Sequence, residues 1–154
     1  MTDSDLLAEV ERLFGASARP DHFTNFTHCS ECAQHDELLR SRRKGELRAE
    51  DVSYSGWDPI CFVSYEAFRY LLPDLVRLAL LDPDASDEWS FPNLLFHLTY
   101  EARENEYLNA FSPDERAAVA TFLRHMAETR RDALERYCDL DDTNDAVRLW
   151  QISA

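Results

Sequence analysis

Apolar residues recur over the first fourteen positions at Leu6, Leu7, Val10, Leu13 and Phe14, one stripe of helical period. Thr2 or Asp3 is placed to cap that helix and Gly15 to close it. A second helical pattern follows Pro20, carries residues 28–35 and runs into Arg40-Ser41-Arg42-Arg43-Lys44-Gly45. There cationic side chains meet the negative end of the helix dipole and Gly offers a stop, so the run reads as a capped helix end before it reads as an anion site.

Residues 46–63 lack a period: Ser53 to Pro59 is rich in turn formers, and Ile60-Cys61-Phe62-Val63 is a short buried run offering at most one strand. Ser64 then caps a helix with Tyr65, Phe68, Leu71, Leu72, Leu75, Val76, Ala79 and Leu80, apolar on more than one side and therefore central. Pro73 inside it predicts a bend or a restart, because the ring removes a backbone donor and crowds the preceding turn. Beyond the acidic loop from Asp82 to Glu88, Trp89, Leu94, Leu95, Phe96 and Leu98 mark a shorter helix.

Ser112-Pro113-Asp114-Glu115 has Ser as N-cap, Pro in the first helical position and Glu three residues on, a capping box. The helix it opens carries Val119, Phe122, Leu123, Met126, Ala133, Leu134 and Tyr137 on one face and is expected to run to about Tyr137. An acidic turn, Asp139 to Asp142, leads to a short last helix around Ala146, Val147, Leu149 and Trp150. With no repeat or linker, the expected fold is all-α: one domain over 1–154, a compact bundle of about five to six helices with an irregular loop region at 46–63.

Composition agrees with a folded domain: 154 residues, 45% apolar and 12% aromatic, with three Gly and six Pro. The net charge of -14 repels phosphate backbones and anionic bilayers, so nucleic acid and membrane are not expected partners, whereas a basic protein is. No run of apolar residues is long enough to span a bilayer and residues 1–14 read as a helix rather than a leader, so a soluble, cytoplasmic protein with reduced thiols is expected. Cys61 and Cys138 read as small buried apolar residues.

Chemistry concentrates in His28-Cys29-Ser30-Glu31-Cys32-Ala33-Gln34-His35. Thiolate and imidazole bind zinc, and Cys29, Cys32 and His35 with Cys61 would complete a four-ligand site. In one regular helix Cys29 and His35 stand about 9 Å apart along the axis, so those ligands meet only if the helix starts after Cys29. The alternative face, with His28, Cys32 and His35 at i, i+4 and i+7, suits a continuous helix but needs an outside ligand. The competing reading is core cysteines beside solvent-facing histidines. A redox Cys-x-x-Cys pair is expected at a helix N-terminus after a strand in a βαβ pattern, and no such pattern is visible. Nucleophilic catalysis by either cysteine with His35 lacks an identifiable third group.

His22, His97 and His125 stand alone in the sequence and read as surface or satisfied core residues. Asp82, Asp84 and Ser86 match an EF-hand start, but Asp87 replaces the turn Gly and Asn93 the bidentate Glu. Phosphate loops, Gly-x-Ser-x-Gly elbows and His-Glu-x-x-His helices are absent.

The Cys-x-x-Cys segment, then Ser64-Tyr65-Glu66-Ala67-Phe68-Arg69-Tyr70-Leu71-Leu72-Pro73, then Phe111-Ser112-Pro113-Asp114-Glu115 opening a helix with Phe122-Leu123, resembles a family of small bacterial proteins, DUF6714, over roughly residues 20 to 125. That family has no established activity, so the resemblance implies a bacterial cytosolic setting and contributes no catalytic residues. Charge without catalytic motifs points to a non-enzymatic acidic interaction or accessory protein, of the immunity or inhibitor type, that binds a basic partner. The alternative is a zinc-binding module or metal-dependent enzyme using Cys29, Cys32 and His35 with Cys61 or His28.

Overall fold

Helix α1 (Asp3–Phe14) begins where Thr2 and Asp5 cap one another: Asp5 N donates to Thr2 Oγ1 at 3.2 Å and Thr2 N to the Asp5 carboxylate at 2.9 Å. The structure, a computed structural model, describes residues 1–53, 56–85, 89–102 and 107–151. Next come α2 (Ser30–Arg40), a single turn α3 (Ala49–Val52), a 3₁₀ turn (Pro59–Phe62) and α4 (Tyr65–Ala79). Helix α5 (Phe91–Phe96) continues into a π turn (His97–Glu101), followed by α6 (Tyr107–Ala110), α7 (Pro113–Thr129), α8 (Arg131–Tyr137) and α9 (Leu140–Gln151).

The all-α expectation holds, but nine α-helices among the described residues exceed the five to six foreseen. Part of the excess lies in single turns such as α3 and α6, which lack enough residues for a period to be read. Another part comes from a break in the helix expected to reach Tyr137. Arg130 leaves helical geometry at φ -119°, ψ 22°, and its guanidinium donates to Asp3 at 2.6 Å and to the Leu80 carbonyl at 2.9 Å. Helix α8 then ends at Cys138 in the left-handed region, φ 62°.

Two further expectations are corrected and a third is narrowed. Helix α4 runs through Pro73 as one element, so of the bend or restart foreseen the restart does not occur. The residues Ile60 to Val63 form no strand: Ile60 is buried, Cys61 and Phe62 are exposed, and Val63 makes only an isolated antiparallel bridge to Thr24. Asp141 and Asp142 lie inside the first turn of a twelve-residue α9, where negative charge suits the helix dipole. Tyr54, Ser55 and the end of the acidic loop at Ser86, Asp87 and Glu88 fall outside the described residues.

The core forms where α9 lies along α7 and α1 crosses both α4 and α7. Aromatic rings join these layers. Phe68 of α4 stacks on Tyr107 at 4.6 Å, and Phe111 stands 5.4 Å from Phe14 and 5.3 Å from Trp150. Trp150 is 1% exposed, so its indole N–H must find an acceptor, and it donates to the Leu98 carbonyl at 2.6 Å. Among the described residues, no helix is long and apolar enough to cross a membrane.

Carboxylates fasten the periphery to this core. The basic run is held internally, although α2 stops at Ser41 and not at Gly45: Arg42 makes two 2.8 Å bonds to buried Asp51, and Lys44 donates to the Gly15 carbonyl at 2.5 Å. Arg69 pairs with buried Glu115 and Arg77 with buried Asp74. Burial opposes ionisation of Asp36 and Asp51. For Asp36 the His22 side chain and the Phe23 and Thr24 amides outweigh it, and for Asp51 the Arg42 side chain and the Arg48 amide do, so both carboxyls sit below their ordinary 3.8. A depressed carboxyl contributes stability that is complete above its unfolded value and disappears as pH falls through the folded one. Equilibrium unfolding across pH should therefore show the contribution of these two carboxyls intact at neutral pH and lost as pH falls through the acidic range, and Asp51→Asn should flatten that loss.

Candidate functional site

Cys29 decides where α2 begins. Its backbone is extended at φ -160°, ψ 171°, and its sulfur accepts the Cys32 N–H at 3.4 Å, the N-cap role usually taken by Ser or Asp. The preceding loop has no regular structure of its own and is held from outside. Asp36, 3% exposed, accepts Phe23 N at 2.6 Å and Thr24 N at 3.2 Å and pairs with His22 Nδ1 at 2.7 Å. Thr24 Oγ1 donates to the Cys32 carbonyl at 2.7 Å, and Ser64 N to the Phe23 carbonyl at 2.9 Å. The tight turn that follows, with His28 N on the Asn25 carbonyl at 3.0 Å, places the His28 ring over the start of α2.

These constraints gather three donors. Cys29 Sγ lies 3.4 Å from Cys32 Sγ, and His28 Nδ1 lies 3.7 Å from Cys32 Sγ. All three ligand atoms fall within 4.8 Å of one another. His28 and Cys29 are exposed and Cys32 is buried, so the cluster has a protein floor and an open outer side. The Cys32 N–H, the His28 side chain and the Cys32 thiol together lower the Cys29 thiol from 9.0 to about 7. The neighbouring Cys29 sulfur, followed by burial, pushes the Cys32 thiol upward.

The other sequence candidates are placed elsewhere. The helix does start after Cys29, yet His35 does not join the thiols. Its ring is fully buried, 4.3 Å from the Trp57 ring and 4.8 Å from Phe62. Neither ring nitrogen has a hydrogen-bond partner, and Glu31 Oε1, 3.5 Å from Nε2, stands at the outer limit of reach. Cys61 belongs to a different group with Asp58 and His97. Both Cys61 and Cys138 are exposed, correcting the expectation of buried apolar thiols. The pattern foreseen for the cluster, buried cysteines beside exposed histidines, is met by Cys32 and His28 and reversed by Cys29 and His35.

Histidines that stand alone in the sequence are satisfied by carboxylates in the fold: His22 by Asp36, His97 by Asp58 at 2.8 Å and His125 by Asp3 at 2.6 Å. Sequence reasoning missed Asp36 as the residue that organises the site. Its helical position, seven residues after Cys29, carries no signal, because its partners come from residues 22–24.

Comparison of the chain with family models, with curated proteins and with solved structures finds no match. Alkylation of the metal-free, reduced chain should modify Cys29 ahead of Cys32, with a rate that rises through a midpoint near pH 7. Peptide mapping of the modified sites checks the order, and preferential modification of Cys32 would contradict it.

Proposed function

We propose that the chain is a metal-binding module that holds a soft divalent ion, zinc first among them, through His28 Nδ1, Cys29 Sγ and Cys32 Sγ. The observation that supports this reading is the donor spacing. With bonds of about 2.3 Å to sulfur and 2.0–2.1 Å to nitrogen, a tetrahedron has edges of about 3.8 Å between two sulfurs and 3.5 Å between sulfur and nitrogen. The separations of 3.4 Å and 3.7 Å lie close to those edges. The fourth vertex points to the exposed side, where water or a donor from a partner completes the shell. A zinc ion with three protein ligands and one exchangeable position acts as a Lewis acid.

Cobalt titration followed by zinc competition tests this. The expected result is one ion per chain with thiolate-to-metal absorption, and a melting temperature that rises on loading. Cys29→Ser, Cys32→Ser and His28→Ala should each weaken affinity by more than roughly 100-fold, beyond the usual effect of losing an outer-sphere partner. His35→Phe and Cys61→Ser should leave it unchanged. Metal retained by the Cys29→Ser, Cys32→Ser double variant would sink the reading.

The acidic balance supports a second, compatible role. Asp51, Asp74 and Glu115 are each paired with an arginine, and those neutral pairs leave the surplus behind the net charge of -14 elsewhere. An acidic surface of this kind steers association with a basic protein. Binding of a basic protein partner should be tightest at low salt and weaken as ionic strength rises; salt-independent capture would argue against electrostatic steering.

A further inference from the structure

Cys29 and Cys32 differ in access while standing in contact. Cys29 is exposed at the N-cap of an eleven-residue helix, where the Cys32 amide donates to its sulfur and the positive end of the helix dipole favours an anion. Cys32, 5% exposed, has its sulfur 3.4 Å away. Closing that gap to the ~2.05 Å of a disulfide requires a movement smaller than one bond length. The strand expected ahead of a redox pair is absent among the described residues, but the helix N-terminus is present and supplies the electrostatics that the strand does not. The other thiol-bearing cluster, Asp58, Cys61 and His97, contains a single sulfur.

We propose that Cys29 and Cys32 form a thiol–disulfide exchange centre acting on accessible disulfides, with Cys29 as the attacking and Cys32 as the resolving thiol. The Cys29 thiolate attacks one sulfur of R–S–S–R′; a Cys29–SR bond forms and R′S⁻ leaves. Cys32, its sulfur 3.4 Å from that of Cys29, loses its proton to solvent and attacks Cys29. The Cys29–Cys32 bond forms and RS⁻ leaves. Two electrons pass from the protein thiols to the substrate disulfide, and a second dithiol, attacking the oxidised pair, returns them. Exchange goes beyond metal binding and is exclusive of it, because the same two sulfurs cannot be joined to each other and ligate an ion.

The test uses the full chain, stripped of metal by a chelator, reduced, and exposed to glutathione disulfide. The expected product is a Cys29–Cys32 disulfide with no glutathione retained, read by mass after free thiols are blocked. Cys32→Ser should accumulate glutathione on Cys29. Cys29→Ser should slow glutathione release by roughly 10-fold or more, since the exposed thiolate sets the rate. Serine is itself a preferred N-cap, so that variant should retain the wild-type circular dichroism spectrum. Mixed disulfides spread over Cys61 and Cys138 with no Cys29–Cys32 link would overturn the proposal. The assay is metal-free, so its failure leaves the zinc reading standing, and exchange by a chain that binds no zinc overturns only that reading.

Discussion

Asp36 carries the constraint on which the candidate site depends. A carboxylate only 3% exposed is costly to desolvate unless its oxygens are filled, and here two backbone amides and one imidazole fill them. Those three donors are consecutive residues of a loop whose one bridge is that of Thr24 to Val63. Satisfying the charge therefore fixes the path of the chain: residues 22–24 must lie against α2, next to the 3₁₀ turn that Val63 closes. The turn leading to His28 and Cys29 starts from that fixed point.

The start of α2 then does several things with the same atoms. The amide of Cys32 needs an acceptor because no preceding turn supplies one, and the Cys29 sulfur is that acceptor. The bond ends the need for a conventional cap, favours the thiolate and fixes Cys29 against Cys32. The metal binding and the disulfide exchange proposed above both rest on that one arrangement, which differs from a buried structural cysteine in having an open side. The aromatic enclosure of His35 one turn later serves another end. It closes α2 against Phe62 of the 3₁₀ turn, as a ring in the apolar packing and without a hydrogen bond.

The departures from expectation share a cause. The helix from Pro113 stops at Thr129 because Arg130 is drawn to Asp3, far away in sequence. Cys61 and Cys138 read as apolar by residue type, but the turns that hold them face outward. Pro73 does not restart α4: the helix is buried along most of its length, and packing on several sides outweighs one missing backbone bond.

What the sequence by itself determined is local. The caps at Thr2, Ser64 and Ser112, the apolar stripes of α1, α4 and α7, and the all-helical class depend on residues a few positions apart, and each is legible from type and spacing. The nearness of Cys29 to Cys32 was legible for the same reason. Only the tertiary structure decided which histidine joins them. His28 and His35 flank the pair on either side in sequence, but the Asp36 clamp turns one over the thiols while Trp57 and Phe62 enclose the other. The carboxylate partners of His22, His97 and His125 lie 14, 39 and 122 residues away. Pairings over such distances are set by how the helices pack, and no local pattern of residues encodes them.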